Sequence, residues 1–318
     1  MPVARDLPII DFAPFCQGEP AGQQQVAQAI YQACHQVGFF YVVNHGIAAE
    51  AIAQAFQQSQ AFFALPTAAK QQSAWANEFS NQGYIGVERE RLDETQPGDL
   101  KEALNLSRDV AAPPPPTATQ SALLDDWPAG LPAFRTTLSR FFQDCTATAN
   151  HLFRAFAIAL NLPEDAIARQ HQNQEFTLRL LHYPPLTTPP QPGQLRAGAH
   201  SDYGSLTLLF QDQVGGLEVQ TAAGEWLSAP AIDAAILVNT GDLTQRWSND
   251  IFRSTQHRVV IPEGDAALRD RYSIAFFCQP DATAEIRCLP SCQSPDNPPR
   301  YAPITSGDYL LSRLRATY

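Results

Sequence analysis

Two histidines and an aspartate carry the strongest chemical signal in this sequence. His200-Ser201-Asp202 sets an imidazole and a carboxylate two residues apart, and His257 follows much later, ahead of Arg271-Tyr272-Ser273. Two imidazoles and one carboxylate can occupy one face of an octahedral iron(II), leaving the other positions for O₂ and an organic ligand. In a strand, residues i and i+2 point to the same face, so His200 and Asp202 could project together from one strand end. The third ligand would come from a distant strand. That constellation belongs to non-haem iron oxygenase chemistry. Taken alone, a His-x-Asp triplet recurs by chance and carries little weight.

The elements that must hold these residues are readable from periodicity. Leu7–Phe12 reads as a short strand. Val26, Ile30, Cys34 and Val37 recur at helical spacing, which predicts an amphipathic helix over 22–37, ended by Gly38. Phe39-Phe40-Tyr41-Val42-Val43 reads as a buried strand. A second helix is expected over 48–64, stopped by Pro66. Residues 80–108 read as a loop-rich, charged stretch, and Pro113–Pro116 as a surface connection that no helix interior or central strand accepts. A long helix over 131–160 carries Phe134, Leu138, Phe141, Phe142, Cys145, Leu152, Phe156 and Leu160, a stripe that suits core packing.

From residue 176 onward the pattern turns to strands. Short β-rich runs are expected at 176–181, 205–210, 217–220, 235–239, 257–261 and 272–277, with turns at Gly215-Gly216 and Ala223-Gly224. Many short strands with turn signals favour an antiparallel jelly roll over a parallel sheet. The expected fold class is therefore α+β: a double-stranded β-helix (jelly roll) with flanking N-terminal and central helices. Residues 1–120 would form an N-terminal region packed on a core of 121–318, the two making one structural unit.

Composition narrows the function classes. With 21 basic against 32 acidic residues the formal charge is −11. That balance argues against a nucleic-acid partner, which needs a basic stripe, and against an anionic membrane surface. No run approaches the length of a membrane span, and the first residues lack the apolar segment of a signal peptide. The 6 cysteines contain no Cys-x-x-Cys pair, so a structural zinc site is not indicated. Reduced thiols, a cytoplasmic location and a monomer acting on a small molecule are the expectations.

Several motifs together resemble the isopenicillin N synthase-like oxygenases, a family that includes plant flavonoid and gibberellin dioxygenases, aminocyclopropane carboxylate oxidase and the bacterial ethylene-forming enzyme. They are Leu7-Pro8-Ile9-Ile10-Asp11-Phe12, Gly38 to Ile47, Gly198 to Gly204, Gly215 to Val219, Asn239-Thr240-Gly241-Asp242, His257-Arg258-Val259 and Arg271-Tyr272-Ser273. The resemblance spans nearly the whole chain. It implies that His200, Asp202 and His257 bind Fe(II), and that Arg271 and Ser273 reach the far carboxylate of the cosubstrate 2-oxoglutarate. Arginine suits that task because its fork donates two parallel hydrogen bonds to a carboxylate. Tyr183 matches a family tyrosine beside the cosubstrate or substrate. Two residues before it, plant members often carry asparagine where this chain has Leu181.

The implied reaction consumes O₂ and 2-oxoglutarate, releases succinate and CO₂, and oxidises a C–H bond, most often by hydroxylation. Three rivals are an isopenicillin N synthase-type oxidase that uses no 2-oxoglutarate, a non-catalytic jelly-roll binding protein, and a zinc hydrolase. For the substrate wall, the candidates are residues 81–91, including Tyr84, Arg89 and Arg91, the residues near the C-terminal tail, and Phe277. The bland reading of Arg89, Glu90 and Arg91 is a solvated charged loop. His45 is expected to hold a turn, His35, His151 and His171 to be packed or solvated, and His182 to face away from Tyr183 by strand alternation.

Overall fold

The computed structural model describes residues 6–74, 81–93, 96–107 and 130–317. The polyproline run at 113–116 and the expected boundary at 120/121 lie outside them. Twelve strands build the site: β1 (Ile9–Asp11), β2 (Phe39–Val43), β3 (Gly83–Ile85), β4 (Glu102–Ser107), β5 (Thr177–Tyr183), β6 (Ala197–His200), β7 (Leu206–Gln211), β8 (Leu217–Gln220), β9 (Trp226–Ser228), β10 (Ala235–Thr240), β11 (His257–Val259) and β12 (Arg271–Cys278). One sheet of 8 strands runs β1-β2-β10-β7-β12-β5-β4-β3, and a smaller sheet of 4 runs β6-β11-β8-β9. Every pairing is antiparallel except β1 with β2. N-terminal strands β1–β4 thus lie in the same sheet as β5, β7, β10 and β12. The architecture is an α+β jelly roll.

Strand alternation gives the large sheet two different faces. On β5 and β12 the apolar Leu178, Leu180, Ile274 and Phe276 turn to one side and join the main core. The helix Phe134–Ala159 covers them, with Phe142 edge-on to Phe276 at 5.1 Å and Phe141 edge-on to Phe210 at 5.1 Å. The opposite face of the same strands presents Thr177, Arg179, Leu181 and Tyr183, then Arg271, Ser273, Ala275 and Phe277, to a cavity between the sheets. A one-residue slip would swap these sets, so burial of the helix-side leucines and phenylalanines also holds the polar set on the cavity side.

The N-terminal helices occupy Pro20–Gln36 and Ala49–Phe63. Gly38 has φ +80°, and a Cβ there would sit 2.3 Å from the Arg253 carbonyl oxygen, so only glycine lets the chain turn into β2. His45 accepts a hydrogen bond from the Ile47 amide at 3.2 Å and stabilises the next turn. All 6 cysteines are free. Among the described residues no helix is long and apolar enough to cross a membrane.

Three sequence expectations need correction. The stretch 80–108, read as loop, contains β3 and β4. Its polar residues obscure the strand because Glu102 on one face of β4 and Asn105 on the other are both buried. Glu102 is paired behind the sheet with Lys70 at 2.7 Å, while Lys101 and Asn105 face the cavity. Short strands β6 and β9 were likewise absent from the expected set. The ligand-bearing strand also ends at His200, leaving Asp202 in the loop beyond it.

His171 is buried and packed, stacked on Phe153 at 4.0 Å, and its Nδ1 donates to the Ile167 carbonyl at 2.8 Å. Burial pushes its pKa down to about 4. Below pH ~6.5 the unfolded chain takes up a proton that the folded chain refuses, so stability falls as pH drops from ~6.5 toward 4. At ~1.4 kcal/mol per pH unit this amounts to about 3 kcal/mol across that window. Urea unfolding at pH 7 and pH 4.5 checks it: a His171→Gln variant should lose this part of the acid sensitivity.

Candidate active site

β6 and β11 pair antiparallel with His257 opposite His200. The rung brings the two rings to a centroid distance of 4.2 Å. Asp202, just past the end of β6, places Oδ1 at 3.9 Å from His200 Nε2 and 3.6 Å from His257 Nε2. One ligand atom from each of the three residues lies within 4.8 Å of the others. His200 and His257 also face the same cavity as Asp202.

The backbone sets the tautomers. His200 Nδ1 donates to the Gly198 carbonyl at 2.8 Å, and His257 Nδ1 to the Thr255 carbonyl at 3.1 Å. Each Nε2 is therefore left with its lone pair, the form a metal ligand needs. Asp202 is oriented on its far side: Oδ2 accepts from Thr207 Oγ1 at 2.6 Å and Asn239 Nδ2 at 2.7 Å, leaving Oδ1 toward the histidines. Burial pushes the His200 imidazole down to about 3, aided by the neighbouring His257. For Asp202, burial favours the neutral acid, but the two imidazoles and the Asn239 and Thr207 donors outweigh it and hold the carboxyl below its ordinary range. Two imidazoles and one carboxylate are the donor set that suits iron(II) with open positions.

Asn239 and Thr207 touch no reacting atom. Removing such a partner commonly costs about 10–100-fold in metal affinity. Asn239→Ala is expected to weaken Fe(II) binding by that range in an anaerobic titration while leaving the circular dichroism spectrum unchanged.

At one end of the cavity, β12 aligns Arg271 opposite Tyr183 and Ser273 opposite Leu181. Arg271 is 1% exposed. Its Nε donates to the Gly215 carbonyl at 2.7 Å and its Nη2 to Gln211 Oε1 at 2.9 Å, while Nη1 is buried without a hydrogen-bond partner. The guanidinium lies 4.5 Å from the Tyr183 ring centroid, and the Tyr183 hydroxyl stands 3.5 Å from Ser273 Oγ. A buried cation with an orphaned donor is costly until an anion meets it. This pocket fits the carboxylate of an organic acid.

The other end is built from β4, β5, the end of β12 and the C-terminal helix Ser306–Thr317, which contributes Leu310 and Leu314. Phe277 lines this end. Tyr84, Arg89 and Arg91, expected in the substrate wall, do not. Tyr84 points behind the sheet, where its hydroxyl donates to Glu102 and its ring packs on Phe62. Arg89 and Arg91 are exposed, whereas Glu90 between them is buried in the wall. That charged triplet is thus neither the solvated loop nor the arginine wall. His182 faces away from the cavity, between Glu102 and Asp270, stacked on Tyr272 at 4.7 Å.

Sequence reasoning missed Arg179, Lys101, Asn105, Tyr203 and Gln279, all of which line the cavity. Alternation was the available signal for Arg179: with Tyr183 inward, residues 177, 179 and 181 of the same strand must be inward too. Nothing comparable marked Lys101 and Asn105 while β4 went unread.

Comparison with known proteins bears directly on this geometry. Residues 7–130 match the family described as non-haem dioxygenase in morphine synthesis N-terminal, and residues 172–280 match the 2OG-Fe(II) oxygenase superfamily. A 2-oxoglutarate-Fe(II) type oxidoreductase, ppzD of Metarhizium majus, is 34% identical, covering 99% of this chain and 96% of its own. Proline hydroxylase buaE of Petromyces alliaceus is 34% identical over 97% of this chain and 98% of its own. The chain belongs to the 2-oxoglutarate-Fe(II) oxygenase superfamily. Among solved structures, a full-length Neurospora crassa protein in complex with alpha-KG and thymine superposes with a TM-score of 0.87 at 34% identity, covering 98% of this chain and 97% of the other.

As a member of this superfamily the protein is a 2-oxoglutarate-dependent dioxygenase, an oxidoreductase that works with non-haem iron(II) on small molecules. The rivals set out from sequence, an oxidase without 2-oxoglutarate, a binding protein and a zinc hydrolase, give way to that reading. The cavity carries a His-Asp-His cluster and, at one end, a buried arginine with an unpartnered donor.

Proposed function

We propose that this oxygenase hydroxylates a C–H bond of a compact small molecule, with His200, Asp202 and His257 holding Fe(II). Arg271, Ser273 and Tyr183 take the far carboxylate of 2-oxoglutarate, and Phe277 faces the substrate. In the balanced reaction, substrate R–H, O₂ and 2-oxoglutarate give R–OH, succinate and CO₂, one oxygen atom entering each organic product. When bound, the iron supplies O₂ activation coupled to oxidative decarboxylation and hydrogen abstraction. The chain's own residues place the reactants. Arg271 donates to the cosubstrate carboxylate, Asp202 and the two Nε2 atoms face the metal, and Leu181, Leu209 and Ala275 keep the centre apolar and exclude water.

The observation that carries this reading is Arg271 Nη1, buried and unpartnered on the same cavity as the triad. A cavity of about 120 Å³ supports a small substrate over a polymer. Two measurements test the proposal. Anaerobic Fe(II) protein should develop a weak visible absorption band on adding 2-oxoglutarate, and under air it should release succinate slowly without substrate. Protein that takes up Fe(II) but neither shows the band nor makes succinate, over a broad substrate panel, refutes it.

A further inference from the structure

The substrate end of the cavity combines two unusual features. The first is a closed set of charges. Glu90 accepts from Lys101 at 3.0 Å and from Arg179 at 2.6 Å, and Lys101 is also paired with Asp99. Two cations thus meet two carboxylates. Asp99 in turn accepts from the Gly198 amide at 2.9 Å, which ties the cluster to the strand that carries His200. Within this cluster each charged side chain is paired with one of opposite sign, whereas Arg271 at the opposite end forms no ion pair among the described residues. An ionised substrate would have to bury its own charge against an already neutralised surface, which is unfavourable.

The second feature is a pair of amides with unanswered oxygens. Asn105 is 1% exposed and Gln279 is 8% exposed, and both line the cavity. Neither Asn105 Oδ1 nor Gln279 Oε1 has a hydrogen-bond partner. The Asn105 orientation is set by its surroundings: Nδ2 donates to Asn81 O at 3.3 Å and Asn81 Oδ1 at 3.1 Å, and turning the amide over would bring oxygen against oxygen. Oδ1 therefore stays an acceptor. Gln279 has no such lock and can present either its oxygen or its NH₂ group. A buried acceptor left unpaired is destabilising, so the complementary ligand brings a donor, and a group that carries both N–H and C=O also suits Gln279, which can present either end of its amide. Phe277 and Tyr203 supply aromatic surface to the same cavity, and Arg313 lies 5.1 Å from the Tyr203 ring centroid.

From these two features we infer that the substrate is an uncharged small molecule bearing an amide-type N–H, a lactam or cyclic imide, recognised by Asn105 and Gln279. This rests on the iron and 2-oxoglutarate reading above. The paired charges of this wall disfavour zwitterionic amino acids and free carboxylic acids. Asn105 and Gln279 act in specificity, through contact with the substrate rather than with iron or cosubstrate.

The test uses the Fe(II) holoenzyme with 2-oxoglutarate and reads succinate release above the probe-free rate. Thymine and 2-piperidone serve as neutral N–H probes, their N-methylated counterparts as matched controls, and L-proline and phenylacetate as charged probes. Thymine or 2-piperidone should stimulate release, the methylated partner should show a KM at least about tenfold higher, and the charged probes should leave the rate unchanged. Stimulation by proline or phenylacetate, an equal response to the methylated compounds, or silence from both neutral N–H probes overturns the inference. Failure of the underlying reading looks different: probe-free succinate and the visible band are then missing as well. As a second measurement, Asn105→Leu should raise KM for the active probe about tenfold while KM for 2-oxoglutarate stays within about twofold. Equal movement of both constants would assign Asn105 a purely structural role and overturn its place in recognition.

Discussion

Replacing His257 with alanine is expected to end 2-oxoglutarate-dependent succinate release. The loss should exceed the ~10–100-fold cost of removing an outer partner of a metal ligand, because a donor atom itself disappears. His257 is fixed from three directions: its Nδ1 donates to Thr255 O at 3.1 Å, its ring packs edge-on to Phe39 at 5.2 Å, and its backbone pairs with that of His200 in the β6–β11 ladder. Only Nε2, 3.6 Å from Asp202 Oδ1, is free for a metal. An alanine keeps the strand register and deletes that atom. Anaerobic titration with Fe(II), or with Co(II) as a spectroscopic substitute, should show binding weakened by more than ~100-fold. A metal-free melting curve distinguishes loss of the site from loss of the fold. Asp202→Asn gives a parallel check, keeping shape and removing charge. A His257→Ala protein that binds Fe(II) within tenfold of the parent and still makes succinate would falsify the ligand assignment.

The triad and the Arg-x-Ser pair were legible because they combine distinctive side chains with strand spacing. Helices Pro20–Gln36, Ala49–Phe63 and Phe134–Ala159 were legible within a few residues because each buries an apolar stripe against one face of the large sheet. β8 was read at its observed bounds, 217–220, since its turn glycines bracket it. The unread part of the molecule is the part where polarity is buried. β4 keeps Leu104 and Leu106 on the core face, but Glu102 on that same face and Asn105 on the other, with Lys101 just ahead of the strand, obscure the alternation. The partners that permit such burial, Lys70, Glu90, Asp99, Arg179 and His182, lie as many as 89 residues away in sequence, as for Arg179 and Glu90. Their pairing is a tertiary fact. Tyr84 was misassigned for the same reason: without β3 and β4 there was no way to tell which face of the sheet it occupies.

Arg271→Leu is expected to raise KM for 2-oxoglutarate by at least about 30-fold, the lower end of what losing one partner of a buried charged hydrogen bond costs, ~2–5 kcal/mol. The argument is one of unpaid solvation. Arg271 is enclosed, two of its donors serve to aim it, and Nη1 has no partner. Arg196 intensifies the demand. It is fully buried, its Nε and Nη1 are unpartnered, and burial together with the positive charge of Arg271 lowers its pKa. Two neighbouring buried cations make this end of the cavity receptive to an anion and hostile to a neutral group. In the parent protein, saturating 2-oxoglutarate at about 100 times its Kd should add ~2.7 kcal/mol of stability and raise the melting temperature by several degrees. In Arg271→Leu the same concentration should add no more than ~0.9 kcal/mol. Arg271→Lys should fall between, retaining charge but losing the fork. A cosubstrate lacking the far carboxylate, 2-oxobutyrate, closes the cycle: the parent should strongly prefer 2-oxoglutarate, and the leucine variant should treat the two nearly alike. If the variant retains the parent's preference, the cosubstrate carboxylate is bound elsewhere and the assignment of Arg271 fails.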